Sequence, residues 1–473
     1  MDFDVIPVVR ELSADTLTPL VAFAALAGEG EEAFLFESVE RGENLGRYSF
    51  VGFEPRRNLR FDATVSDPVK VLHDELVPLR VQDEESLPPF FGGAVGYFGY
   101  NVAGWSERIP DSHPDDLGVP DAKLLFFDNV VVFDHVRGRL YVVANVFTKD
   151  GSIEEANRRL DRAVERLRLA SVAPLVFPDA IQPGAPMAGF SSNHTRATFE
   201  QMIRDAKEEI AAGEIFQIVL SQRWETDYPT AQALTLYRAL RAINPSPYMF
   251  LLRTDECTLV GASPEMLVRV TEHLAETRPI AGTRPRGRTQ EEDLALEQAL
   301  LADPKENAEH LMLVDLGRND LGRVCASGTV TVEDFCHVER YSHVMHLVTD
   351  VHGHLRDDHT PVDAFLSCFP AGTVSGAPKI RAMELIDRFE NSRRGPYAGA
   401  IAYFGFSGNL DSCITIRTIT LANDKAYVQA GAGIVYDSNP STEFEETESK
   451  SAALRRAISV AKVLLGTAPP LSS

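Results

Sequence analysis

Residues 399–406 and 411–420 are apolar, strand-forming runs parted only by Ser407-Gly408-Asn409-Leu410, and a third run, 425–435, follows directly on Asn423-Asp424. A connection this short joins antiparallel neighbours, because a parallel neighbour needs a long crossover. The pattern also occurs earlier, where 124–134 and 139–147 flank His135-Val136-Arg137-Gly138. Such hairpins outnumber strand–helix–strand units. The expected fold class is therefore α+β, with large antiparallel sheets in a sandwich and helices packed outside.

Helices are predicted around these sheets. In 154–170, Ala156, Leu160, Ala163, Val164 and Leu167 fall on one helical face. Thr198-Phe199-Glu200-Gln201 fits a capping box opening a helix that runs to about Gly213. Glu214–Trp224 reads as a strand, and 443–464 as the last helix. The stretch 171–193, rich in proline and glycine, reads as a linker. It divides the chain into an N-terminal regulatory or structural region, 1–185, and a catalytic region, 186–466, with 467–473 as a frayed tail.

Charge excludes one class of partner. Lys plus Arg is 46 against 69 Asp plus Glu, a net charge of −23. That field repels phosphate backbones, so no nucleic-acid binding is expected, and an anionic ligand would need a local cation to bind. No apolar stretch approaches membrane-spanning length, and Met1-Asp2-Phe3-Asp4 lacks the basic start of a signal peptide. The cysteines Cys257, Cys325, Cys336, Cys368 and Cys413 are odd in number and form no Cys-x-x-Cys pair. No disulfide framework follows, and a reducing cytoplasm is the expected setting.

Several residues carry possible chemistry. Asp303-Pro304-Lys305-Glu306-Asn307-Ala308-Glu309 opens a helix with Glu306 and Glu309 on one face. Glu443, Glu446 and Lys450 repeat the arrangement. Two such helices form either two solvated faces or, facing each other, a site for a hard divalent cation such as Mg²⁺. Arg417, read as a mid-strand residue of 411–420, binds either a substrate carboxylate or a neighbouring acidic side chain. Gly431-Ala432-Gly433 allows either close backbone approach to a ligand or a bulge. Gly92-Gly93-Ala94-Val95-Gly96 lacks the strand–glycine–helix setting of a dinucleotide site and reads as turn and close packing. His346 is an acid–base candidate or a satisfied core histidine. Glu265, just past a strand, is a loop-borne catalytic carboxyl or a first-turn helix residue.

Taken together, ordered motifs resemble one family. They are Gly213–Arg223, Gly261–Glu265, Arg278–Pro285, Glu306–Asp320, Phe369–Lys379 and Gln429–Lys450, densely over 196–460, with Phe34–Ser38 and Gly46–Phe50 more loosely before 185. The chain resembles the chorismate-utilising enzymes, and among them the anthranilate synthase component I family. The resemblance implies the chorismate-binding fold and the conversion of chorismate and ammonia to anthranilate and pyruvate, the first committed step of tryptophan biosynthesis. It implies Mg²⁺ on Glu309 and Glu446, supported by Glu306 and Glu443, holding the ring carboxylate. Tyr397, Arg417 and the backbone of Gly431, Ala432 and Gly433 would bind the enolpyruvyl carboxylate, with Lys450 beside the metal-bound carboxylate. Gly282 and Thr283 would line the pocket. Glu265 would be the general acid–base near the departing 4-hydroxyl, and His346 and Thr373 would serve the later elimination.

Sibling enzymes differ in the nucleophile. Aminodeoxychorismate synthase commonly has lysine where Ala281 stands, and isochorismate and salicylate synthases have lysine where Gln217 stands. Neither position here offers an amine, which points to free ammonia. Component I of aminodeoxychorismate synthase, in the folate branch, is the alternative. No Gly-x-Cys-x-Gly turn for a glutaminase is present, so the expected partner is a separate glutamine amidotransferase subunit, in a heterotetramer. Glu37, Ser38, Pro247, Tyr248, Met249, Tyr403 and Cys413 match the family's tryptophan-inhibition pocket, against a reading as ordinary sheet packing. Asn409 lies in the adjacent hairpin loop with no role assigned.

Overall fold

A computed structural model describes residues 3–28, 30–38, 46–82, 84–173, 189–340 and 344–466. The tail 467–473 and most of the predicted linker lie outside the described residues. Two sheets of twelve and ten strands dominate. The pairings within them are antiparallel throughout, as the hairpin spacing requires. The larger sheet runs from Val5–Ser13 at one edge, through Ala33–Glu37, Tyr248–Arg253, Thr258–Ser263, Thr418–Ala422 and Lys425–Ile434, to Gln217–Asp227 and Gly376–Ala377. The smaller one carries Ile280–Pro285, Val344–His354, Met266–Thr271, Leu410–Ile414, Ala400–Gly405 and Gly93–Phe98 in its path. Both sheets take strands from either side of residue 185.

Aromatic side chains fill the space between the sheets. Phe34 of the larger sheet packs on Phe127 of the smaller at 4.9 Å and on Phe90 at 6.1 Å, with Phe50, Tyr97, Phe250 and Tyr403 around them. A second core lies under helices Pro19–Leu26, Ile153–Arg168, Ala233–Ile243 and Pro440–Leu464, which cover the larger sheet. The helix face predicted in 154–170 is the buried one, through Ala156, Leu160, Ala163 and Leu167. Gly93 and Gly96 are close-packed: an added Cβ would stand 2.1 Å from the Phe404 carbonyl oxygen and 1.9 Å from that of Lys123.

Several local expectations are corrected. The run 124–134 is two strands, Ala122–Phe127 and Asn129–Asp134, in different sheets. The break falls at Asp128, whose carbonyl accepts from the Asn145 backbone and side chain. The run 411–420 likewise splits into Leu410–Ile414 and Thr418–Ala422, again in different sheets. Arg417 is therefore not mid-strand; it stands at the corner with φ +50°. Both runs stay apolar through the break because both sheets are buried there, so hydrophobicity alone does not mark it. The capping box starts at Thr195, not Thr198: the Thr195 hydroxyl accepts from the Thr198 N–H, and the Thr198 hydroxyl from the Thr195 N–H. The strand placed at 214–224 spans Gln217–Asp227. Gly431–Gly433 lie inside Lys425–Ile434, in unbroken register with Gln217–Asp227, so there is no bulge.

Candidate active site and effector pocket

Helix Pro304–Gly322 starts where Asp303 caps it, its carboxylate accepting from the N–H groups of Lys305 and Glu306. That fixes Glu306 and Glu309 in the first turns. Helix Pro440–Leu464 starts the same way at Asn439, which places Glu443, Glu446 and Lys450 on successive turns. The two helices bring their acidic residues together. Burial raises the pKa of the Glu309 carboxyl, and the charges of Glu306 and Glu446 raise it further. The Glu443 carboxyl is raised by burial and by Glu446. Cations already answer part of this repulsion. Lys450 Nζ pairs with Glu446 Oε1 at 2.6 Å, and Arg284 with Glu306 at 3.0 Å. In this arrangement no three acidic, histidine or cysteine side chains among the described residues form a ready coordination shell. The donor set nevertheless fits a hard dication, because its oxygens are partly buried and mutually repelling.

Arg417, Lys450 and the Gly431 backbone lie together beside those carboxylates. Arg417 is largely buried, and burial lowers the pKa of its guanidinium. Its Nη1 donates to the Lys450 carbonyl at 3.1 Å, and Lys450 Nζ donates to the Gly431 carbonyl at 3.1 Å. The corner at Arg417 is held by Ala262 N–H, which donates to the Arg417 carbonyl at 3.0 Å. A Cβ at Gly431 would meet the Tyr397 hydroxyl at 2.8 Å, and one at Gly433 would meet Gln217 Nε2 at 2.8 Å. The two glycines thus leave room at the backbone where side-chain donors converge.

Glu265 lies between Thr258–Ser263 and Met266–Thr271, in no helix. Burial pushes its carboxyl up to about 7, although the Thr373 hydroxyl, donating at 2.8 Å, and the Lys450 charge oppose the rise. A carboxyl poised there can hold a proton near neutral pH and give it up. The structure therefore sets Thr373 against Glu265. His346 is on strand Val344–His354, and its Nδ1–H donates to the Gly282 carbonyl at 2.8 Å, with the Thr283 hydroxyl 3.1 Å away. That contact makes Nε2 the unprotonated nitrogen of the neutral ring. Burial lowers the His346 pKa, which favours the neutral form. Gly282 has φ +63°, and a Cβ there would come within 3.2 Å of Glu306, which ties the His346 side of the site to the carboxylates. Arg284 is a site-side residue that the sequence reading did not single out, although it falls inside Arg278–Pro285; it bridges Asp303 and Glu306.

A separate cavity of about 390 Å³ opens between the two sheets. Glu37, Ser38, Pro247, Tyr248, Met249, Tyr403 and Cys413 all line it, together with Phe36, Arg47, Tyr48, Phe50, Arg269 and Asp411. The Glu37 carboxylate accepts from the Tyr237 hydroxyl at 2.5 Å and pairs with Arg241 at 3.2 Å. Asp411 accepts from the Tyr248 hydroxyl at 3.2 Å and from Arg269 at 3.3 Å. Ser38 Oγ is buried with no partner. Asn409 donates to the Pro89 carbonyl beside this cavity. Its wall continues into the other site: Tyr248 pairs with Ser263, two residues before Glu265, and Ile414 N–H donates to the Glu265 carbonyl at 3.0 Å.

All five cysteines are free, and burial raises every thiol, to about 12 for Cys257 and about 11 for Cys325. None has the environment of a thiolate nucleophile. No helix among the described residues is long and apolar enough to cross a membrane.

Comparison with known proteins gives the family. The family model described as "chorismate binding enzyme" matches residues 31–456, and the chain belongs to that family. Within it, the chain is 46% identical to anthranilate synthase component 1 of Acetivibrio thermocellus, covering 97% of this chain and 96% of that protein. It is 44% identical to the protein of that name from Aquifex aeolicus, over 98% and 96%. Among solved structures, anthranilate synthase component I from Streptococcus pneumoniae superposes with a TM-score of 0.77 at 36% identity, covering 94% of this chain and 99% of that one. The Escherichia coli isochorismate synthase MenF shares the fold at a TM-score of 0.70 and 20% identity.

Proposed function

We propose that this chain is the synthase subunit of an anthranilate synthase, making anthranilate and pyruvate from chorismate and ammonia. The observation that carries the reading is Glu265, a buried carboxyl pushed up to about 7 and held by Thr373, in the field of Lys450. Breaking the C4–O bond of chorismate expels hydroxide unless an acid protonates the oxygen, and a carboxyl protonated near pH 7 does so. Arg417 and Lys450, with the backbone at Gly431–Gly433, bind the substrate carboxylates. Glu309 and Glu446, supported by Glu306 and Glu443, would hold Mg²⁺. When bound, the ion supplies positive charge for the ring carboxylate in a protein of net charge −23. His346, held through Nδ1 by the Gly282 carbonyl and kept neutral by burial, takes the ring proton lost when pyruvate departs.

The nucleophile is ammonia, since Ala281 and Gln217 provide no amine. The raised thiols offer no glutaminase nucleophile among the described residues, which supports a separate amidotransferase partner. The inter-sheet cavity suits an aromatic amino acid. Its walls combine the rings of Tyr48, Phe50, Tyr248 and Tyr403 with both charge signs, Glu37 and Asp411 against Arg47 and Arg269. We assign it to tryptophan as feedback inhibitor.

The test is incubation with chorismate, Mg²⁺ and an ammonium salt at alkaline pH, followed by anthranilate fluorescence and pyruvate release. Formation of 4-amino-4-deoxychorismate without pyruvate would instead assign the chain to the folate branch. No turnover at all would leave only a binding subunit.

A further inference from the structure

His310 follows Glu309 on helix Pro304–Gly322 and is fully buried. Its Nε2 shares a 2.6 Å hydrogen bond with the Thr349 hydroxyl, while Nδ1 has no partner. Thr349, also fully buried, lies on Val344–His354, three residues beyond His346. Its hydroxyl also accepts from the Cys336 N–H at 2.9 Å, and its own N–H donates to the Pro279 carbonyl at 3.3 Å, one residue before Ile280–Pro285. The Thr349 hydroxyl thus ties the carboxylate-bearing helix to the strand of His346, and the Thr349 backbone N–H ties that strand to Pro279, at the start of the strand of Gly282 and Thr283.

We propose that His310 is a positioning residue that fixes the rotation of helix Pro304–Gly322 and so aims Glu309 at the metal site; this rests on the metal assignment above. Successive helical residues point about 100° apart, so a side chain pinned into the sheet at 310 dictates where 309 points. A carboxylate about 6 Å from the helix axis moves by on the order of 2 Å when the helix turns by about 20°. That is large against the narrow range of distances that Mg²⁺ accepts from an oxygen. Leu313, Val314, Gly317 and Leu321 bury the inner face of the helix further along, and His310 is the buried polar anchor of that face nearest Glu309.

The test compares His310→Leu, Thr349→Val and His310→Gln with the unaltered protein, titrating Mg²⁺ by calorimetry and by its effect on turnover. Gln reaches the position of Nε2 and can restore the bond to Thr349. The expected result is Mg²⁺ binding weakened about tenfold or more in the Leu and Val variants, as when partners of metal ligands are lost. Most of kcat should return at saturating Mg²⁺, and affinity should recover in the Gln variant. Thermal melting shows whether each variant is folded, and Thr349→Val, nearly isosteric, keeps the test open if His310→Leu does not fold. Unaltered Mg²⁺ affinity in a folded Leu or Val variant overturns the proposal. Absence of Mg²⁺ binding by the unaltered protein would instead overturn the metal assignment beneath it.

Discussion

Replacing Thr373 by Val removes the hydroxyl that donates to Glu265 Oε1 at 2.8 Å and leaves a side chain of nearly the same volume. The hydrogen bond favours the charged carboxylate, so its loss raises a pKa that burial has already pushed up to about 7. A hydrogen bond to a charged group contributes about 1.5 kcal/mol or more, which is about one pKa unit. The proton donor is the neutral carboxyl, and rate falls as pH rises through its pKa. In the unaltered protein that fall is expected near pH 7, and in Thr373→Val about one unit higher. The assay is anthranilate fluorescence against pH, with rates expressed per unit of free ammonia, because ammonia itself becomes more available as pH rises. Thr373→Ser keeps the hydroxyl and should keep the limb in place. A limb that stays put in Thr373→Val, or moves to lower pH, would refute the assignment of that limb to Glu265.

Glu265→Gln should abolish turnover yet stabilise the fold at pH 8. An unfolded Glu ionises near 4.5 and the folded one at about 7, so the folded state resists ionisation and stability falls as pH rises between those values. The penalty above pH 7 is up to about 3 kcal/mol, so melting of the Gln variant should exceed that of the unaltered protein at pH 8 and match it near pH 4. Glu309→Gln and Glu446→Gln should each raise the Mg²⁺ needed for half-maximal rate by about tenfold or more; normal rates at limiting Mg²⁺ would remove them from the metal site. Ser38→Arg and Met249→Thr should retain activity and lose tryptophan inhibition, and unchanged inhibition in both would exclude the cavity as the effector site. Arg417→Lys should raise KM for chorismate, since a lysine cannot form the paired bonds of a guanidinium to a carboxylate.

Fold class and family were legible in the sequence, the three-dimensional partners much less so. Short connections at Ser407–Leu410 and Asn423-Asp424 sufficed for antiparallel sheets, because loop length restricts topology. The pairing of Gln217–Asp227 with Lys425–Ile434, some two hundred residues apart, was not legible, since periodicity reports faces and not partners. Nor were the corners at Asp128 and Arg417, where apolar runs pass without interruption from one sheet to the other. Glu265 and Thr373 carried no local sign of contact, being 108 residues apart. His310, next to Glu309, carried no local sign of a role, and its bond to Thr349 exists only in three dimensions. The seven residues that line the inter-sheet cavity were grouped by family resemblance and not by pattern, since they come from four separate strands and their adjoining loops, which share a wall only after both sheets have formed.

The corner at Arg417 gives that wall its significance. Leu410–Ile414 carries Asp411 and Cys413 into the cavity proposed for the effector, and three residues beyond its end the same chain presents Arg417 to the proposed active site. Tyr248–Arg253 does the same on the other side, pairing Tyr248 with Ser263 just before Glu265. On the function proposed above, a ligand that displaces Asp411 from Tyr248 or Arg269 acts on the two segments that hold Arg417, the proposed carboxylate-binding guanidinium, and Glu265, the proposed proton donor. Neither segment can shift alone, because Ile414 N–H is bonded to the Glu265 carbonyl and Ala262 N–H to the Arg417 carbonyl. Coupling of this kind is reciprocal: if tryptophan weakens chorismate binding, chorismate must weaken tryptophan binding by the same factor. Measuring tryptophan affinity with and without chorismate in the inactive Glu265→Gln protein checks this directly, and equal affinities would place the inhibition elsewhere than in this shared wall.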